Sequence, residues 1–206
     1  MISLCKILLL LAITQSFFIT DFALGKEDTT LTNMIRIDDY YIDKYEFPNR
    51  PNHVPKVNVT FSQAEVLCKQ ADKRLCSEQE WQNAASGTEN YLYGYGDEFQ
   101  SGRCNTPFLK NSNWNSGKSI AKSGSFPHCH NTYGIYDMIG NVWEWTNGWY
   151  SQADRWRVVR GGSYFNSANM ARVDSRYGQF LDEQFHLDLI GFRCCKSAVA
   201  EDYSRK

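Results

Sequence analysis

The stretch Gly140–Tyr150, "GNVWEWTNGWY", places three tryptophans, a carboxylate and two glycines in eleven positions. An extended chain alternates its side chains, so from Val142 to Thr146 the indoles of Trp143 and Trp145 share one face and Val142 and Glu144 share the other. This predicts a short buried strand. Its aromatic face suits a core, and its other face presents a carboxylate just after the Gly140 turn. Two partners suit that carboxylate. A hard cation wants six to eight oxygens, which Asp137, Glu144 and the carbonyls of the turn between them could begin to supply. An arginine such as Arg160 or Arg193 is the alternative.

Around this stretch the chain has 206 residues, 42% apolar and 15% aromatic, enough for one sizeable core. The formal charge of −1 provides no basic surface for nucleic acid. Residues 1–25 carry one lysine, an apolar run and a small-residue pattern at Ala23-Leu24-Gly25, the pattern of a cleaved secretory signal peptide. Thr14, Gln15 and Ser16 break the run, which is short for a spanning helix, so no stable membrane span is expected after cleavage. Beyond Cys5 lie six cysteines, Cys68, Cys76, Cys104, Cys129, Cys194 and Cys195, an even set in a chain headed for an oxidising compartment. Three disulfides are expected. Zinc at His128, Cys129 and His130 is the sharper alternative, but no CxxC pair accompanies them.

Residues 26–33 are polar and read as a flexible arm, residues 34–197 as the domain and residues 198–206 as a polar tail. "MIRIDDYYIDKYEFPN" (34–49) alternates as a strand or hairpin. Thr60 with Gln63, and Ser77 with Glu80, are capping boxes that open two helices, the second ended by Gly87. From Gly87 to His130 no helical period appears, and so long an irregular stretch needs a pin. "WRVVRGGSYFN" (156–166) and "LIGFRCC" (189–195) read as further short strands. Few helices and many short strands make an irregular α+β domain with long loops.

Four ordered blocks, "KRLCSEQEW", "YGIYDMIGNVWEWT", "RVVRGGSYFN" and "GFRCC", resemble the formylglycine-generating enzyme family, also called the sulfatase-modifying-factor domain, over about Met34–Ser197. The resemblance implies a C-type-lectin-like fold with two helices, stabilised by calcium and disulfides. It implies calcium ligands at Asp137 and Glu144 side chains and Gly140 and Val142 carbonyls, with a second site beginning at Asn105 and Thr106. It implies a Cys68–Cys194 bridge, with Cys76–Cys195 and Cys104–Cys129 completing the set; by number alone the six cysteines leave many pairings open. The style of "YYIDKYEFPN" and "KRLC" resembles bacterial members and implies a periplasmic or extracellular protein.

The oxidase of that family keeps one reactive cysteine two positions after the tyrosine of "GGSY" and another five beyond. Here Asn166 and Ala171 stand there. Neither can bind Cu(I) as a thiolate, so copper and formylglycine-generating oxidase activity are not expected. The same cleft could hold a ligand through Asn166, Asn169, Arg172, Arg176 and Tyr177. His186 is a candidate general base without an identified partner. Three readings remain open: a calcium- and disulfide-stabilised module that binds a peptide, glycan or small molecule or assists a partner enzyme; a maturation-type oxidoreductase using a non-cysteine site; and a structural envelope protein.

Overall fold

The computed structural model describes residues 29–107 and 119–198. The expected signal segment (residues 1–25), residues 26–28 of the expected arm and residues 199–206 of the expected tail therefore lie outside the described residues. Among the described residues two α-helices accompany eight strands in two four-stranded sheets, the α+β architecture expected. Among the described residues no helix is long and apolar enough to cross a membrane.

Both helices begin where their caps predict. In α1 (Phe61–Gln70) the Thr60 hydroxyl accepts from Gln63 N while Gln63 returns its carbonyl to Thr60 N. In α2 (Glu78–Ser86) Ser77 and Glu80 exchange the same pair of bonds. Each reciprocal pair satisfies backbone donors that the first helical turn leaves open. α1 turns Phe61, Ala64 and Cys68 inward, and α2 turns Trp81, Ala84 and Ala85 inward.

The first sheet has the order β1 (Met34–Ile37), β2 (Tyr40–Asp43), β8 (Cys194–Ser197), β3 (Arg74–Leu75), and all of its pairs are antiparallel. The second has the order β6 (Arg176–Tyr177), β5 (Trp156–Arg160), β4 (Trp143–Ser151), β7 (Ile190–Phe192), with β4 and β7 parallel. The segment read as one strand, "LIGFRCC", is two. β7 ends at Phe192 in one sheet, Arg193 turns its side chain inward, and β8 begins at Cys194 in the other. The arm is also tied at its end: the Asn49 amide donates to Thr32 O and Asn33 O, and Lys196 Nζ reaches Thr30 Oγ1.

The quoted strand is β4, and from Trp143 to Thr146 both of its faces are buried. Trp143 and Trp145 join Phe61, Val159, Phe192 and the Cys68–Cys194 bridge in one apolar cluster. The Trp145 indole N–H donates to Val59 O at 3.0 Å, which satisfies its polar edge. Trp81, Ile42 and Ile135 belong to a second cluster. Disulfides Cys68–Cys194, Cys76–Cys195 and Cys104–Cys129 staple the fold, the third pinning the irregular segment.

Candidate functional site

Glu144, on the face of β4 opposite the two indoles, meets Arg193 from the gap between β7 and β8. Arg193 Nε donates to both carboxylate oxygens at 3.0 and 2.8 Å, and Nη2 donates to Oε1 at 2.8 Å. The Trp81 indole N–H from α2 donates to Oε2 at 2.6 Å. Arg193 Nη1 donates to Asp43 O and Nη2 to Tyr136 O. Burial works against the guanidinium's charge, but Glu144, Glu46 and Asp137 outweigh it and hold its pKa above the ordinary value. Of the two arginines named from sequence, Arg160 goes elsewhere, to Glu78, Gln82 and Val173 O.

Beside this pair lies a polar knot that the sequence did not announce. Glu46 accepts from Ser123 Oγ at 2.6 Å and from Asn141 Nδ2 at 2.9 Å on each oxygen. Asn141 Oδ1 accepts in turn from Asn105 Nδ2 and Ala121 N. Burial pushes the Glu46 carboxyl well above the usual carboxylate range, with Asp137 and Glu144 adding to the rise. Asp137 accepts from Gly124 N at 2.7 Å, and burial pushes its pKa up to about 6. The one sequence hint was a glutamate set between tyrosine and phenylalanine in "YEFP".

The proposed calcium ligands Asp137, Gly140, Val142 and Glu144 are close in sequence, and Gly140 packs against Asn105 and Thr106. A Cβ on Gly140 would stand 2.5 Å from Asn105 O and 2.7 Å from Thr106 Cγ2, so the two sites implied by resemblance adjoin. Their fit to the ion is incomplete. Both Glu144 oxygens are taken by Arg193 and Trp81, the Asn105 amide is held by Ser119 O and Asn141, and one Asp137 oxygen holds Gly124 N. Among the described residues no group of three His, Cys, Asp or Glu side chains converges as a metal site. Glu144 could serve as a ligand only by sharing or leaving its guanidinium.

The cleft is a groove of about 450 Å³ on the second sheet. Trp143, Val159 and Ile190 come from its strands, Tyr177 from edge strand β6, and Phe180, Leu181 and Phe185 from the following loop. Phe180 is 66% exposed, an unusual position for so large an apolar side chain. Asn166 lines the groove, and its Oδ1 accepts from Ser163 N and Ser163 Oγ. Ala171 is buried in the core. All six described cysteines are in disulfides, so no thiol reaches this cleft from the described residues.

Of the five residues assigned to the cleft, Asn166 and Tyr177 line the groove, while Asn169, Arg172 and Arg176 do not. The two guanidiniums found carboxylates instead. Arg172 forks onto Asp174, and Arg176 onto Glu78 at 2.8 and 3.0 Å. Sequence reading assigned the polar side chains after "GGSY" and missed the apolar wall from Gln179 to Ile190, whose spacing follows no helix or strand period. His186 Nδ1 lies 2.8 Å from Asn58 Oδ1 and outside the groove lining. Cys129 is bonded to Cys104, which removes the thiolate that the zinc alternative required.

Known proteins are similar to this chain in sequence and in fold. The chain is 37% identical over 155 residues to the inactive C-alpha-formylglycine-generating enzyme 2 of Bos taurus, covering 70% of this chain and 50% of that protein. It is 30% identical over 192 residues to the formylglycine-generating enzyme of Streptomyces coelicolor, covering 74% and 55%. The chain thus spans about half the length of the curated relatives it matches. The crystal structure of CarF superposes with a TM-score of 0.62 at 19% identity, covering 78% of this chain and 87% of that one. Treponema denticola variable protein 1 superposes with 0.60 at 20% identity, covering 80% and 91%. Residues 43–198 match the sulfatase-modifying factor enzyme 1-like domain, and the chain belongs to that family.

Proposed function

We propose that this chain is an exported binding or accessory module of its family, in which the cleft holds a ligand and performs no thiol chemistry. The observation that carries the reading is the groove itself. Where the oxidase of the family has cysteine, Asn166 borders a largely apolar cavity floored by Trp143 and rimmed by exposed aromatic side chains. A concave apolar surface with a few fixed polar groups is the usual form of a ligand site. The disulfides suit an oxidising compartment and agree with export.

Intrinsic emission provides the assay, with Trp143→Phe isolating the share of the one tryptophan that lines the groove from that of the other five. Titration with a peptide, glycan and small-molecule panel is expected to yield ligands that shift it, and Phe180→Ala is expected to weaken them. A panel that leaves the emission unmoved overturns the reading. Incubation with a sulfatase-type cysteine peptide under oxygen and copper should produce no aldehyde. A calcium ion at the Gly140 turn is a separate proposal drawn from the family resemblance. It would take Asp137 and the carbonyls of Gly140 and Val142, with Asn105 and Thr106 adjoining, and would share Glu144 with Arg193. Calcium binding only to the folded protein raises the melting temperature. An unchanged melt in calcium and in chelator would remove the ion from the account.

A further inference from the structure

Asn166 has a defined orientation. Ser163 N is a donor only, so the side-chain atom facing it at 3.1 Å must be the carbonyl oxygen; Ser163 Oγ takes the same oxygen at 2.6 Å. Ser163 is fully buried and its hydroxyl also accepts from Phe165 N, so this frame is firmly set. The carboxamide therefore directs its NH₂ away from the turn, and Nδ2 meets no acceptor among the described residues. A preorganised donor stands at the edge of a largely apolar groove.

The rest of the lining restricts what that donor can serve. The other polar lining side chains are those of Tyr177 and Gln179, and no ionised side chain lines the groove. The nearby guanidiniums are engaged, Arg176 with Glu78, Arg172 with Asp174 and Arg157 with Glu183. An ionised ligand entering here would lose hydration without gaining a counter-charge. A sugar would bury several hydroxyls against Trp143, Val159, Leu181 and Ile190. A neutral ligand with apolar side chains and a carbonyl acceptor fits. β6, which contributes Tyr177, is the outer strand of its sheet, and an extended chain can lie beside such an edge.

Building on the groove-binding reading above, we propose that Asn166 is a specificity-determining residue: its Nδ2 donates to a main-chain carbonyl of an uncharged, apolar, internal peptide segment of a partner protein lying in this groove. An internal segment is required because a chain terminus would bring a charge.

The test uses acetyl-Ala-Leu-Phe-Leu-amide and a panel of capped apolar tetrapeptides, the same peptides with a free carboxylate, and versions with a central lysine or glutamate. Calorimetry gives affinities, the emission difference between wild type and Trp143→Phe reports occupancy, and the Asn166 side-chain amide resonance reports the donor. Capped peptides should bind, the charged versions should bind at least about tenfold more weakly, and the Asn166 resonance should move on saturation. Asn166→Asp keeps an oxygen for Ser163 while replacing the donor by a carboxylate, and should cost about tenfold or more in affinity. If Asn166→Asp lowers the melting temperature, the wild-type resonance decides, and a signal unmoved at saturation overturns the assignment. Equal binding by wild type and Asn166→Asp, with Phe180→Ala weakened, defeats the role of Asn166 and leaves the groove reading standing. Tighter binding of charged peptides defeats the neutral class. Silence from the whole panel defeats both.

Discussion

Arg193 and Glu144 are each all but inaccessible, and their pairing joins the gap between β7 and β8 to the face of β4. Two charges out of water are tolerable only when their polar atoms find partners, as all three guanidinium nitrogens and both carboxylate oxygens do here through each other, Trp81, Asp43 O and Tyr136 O. Arg193→Gln should therefore lower unfolding free energy by about 3–5 kcal/mol, read by urea denaturation, because it strands a buried carboxylate. A loss below about 1 kcal/mol would mean that Glu144 finds another partner or a proton. Gly140 shows a second residue-scale constraint: at φ +75° its added Cβ would strike the Asn105 carbonyl. Gly140→Ala should cost about 1–3 kcal/mol in the same assay. The sequence named both candidate arginines for Glu144, but choosing between them required knowing which strand ends lie opposite one another. Glu46 and Asn141 were invisible for the same reason, since their bonds join residues 95 positions apart.

At the scale of elements, the helices were legible because caps are local: each donor and its side-chain acceptor lie three residues apart. Glu80 does more than cap. Burial raises its pKa, but the Arg74 fork and the Ser77 N–H outweigh that, and the net shift is downward. A carboxylate whose folded pKa is depressed adds stability above its unfolded value, about 4.3, and loses it as pH falls through the lower folded value. The stability difference between wild type and Glu80→Gln should be full near neutrality and shrink on acidification below about pH 4. Denaturant melts across pH 3–7 check this, and a difference that grew in acid would reverse the assignment. Strand alternation correctly separated the indoles of β4 from Glu144. It could not tell that both faces are buried, because a paired carboxylate and a solvated one occupy the same place in an alternating pattern. The division of "LIGFRCC" at Arg193 was equally hidden, since the residue that breaks the strand is held by contacts with β4, β2 and Tyr136.

Across the whole molecule, disulfides replace regular structure as the long-range constraint. Cys68–Cys194 spans 126 residues and Cys104–Cys129 spans 25. In the chain-entropy picture closing such loops disfavours the unfolded state by about 5 and about 3.5 kcal/mol respectively, with no simple additivity for nested loops. Replacing Cys104 and Cys129 together by alanine should leave a folded protein with a lower melting temperature and faster proteolysis between Gly87 and His130. Replacing Cys68 and Cys194 should abolish folding at 37 °C. An unchanged proteolytic pattern in the first variant would show that the polar knot at Glu46, Asn105 and Asn141 pins this region without the bridge. By itself the amino-acid order determined the caps, the alternation of the tryptophan strand, the even set of cysteines and the presence of Asn166 and Ala171 where the family resemblance expects thiols, since each depends on residue identity or on spacings of a few positions. The tertiary structure alone decided which arginine takes Glu144, that Arg172 and Arg176 turn to carboxylates outside the cleft, and that an apolar wall from Gln179 to Ile190 makes the groove. These depend on distances between segments remote in the chain, and such distances are set by packing rather than by local pattern.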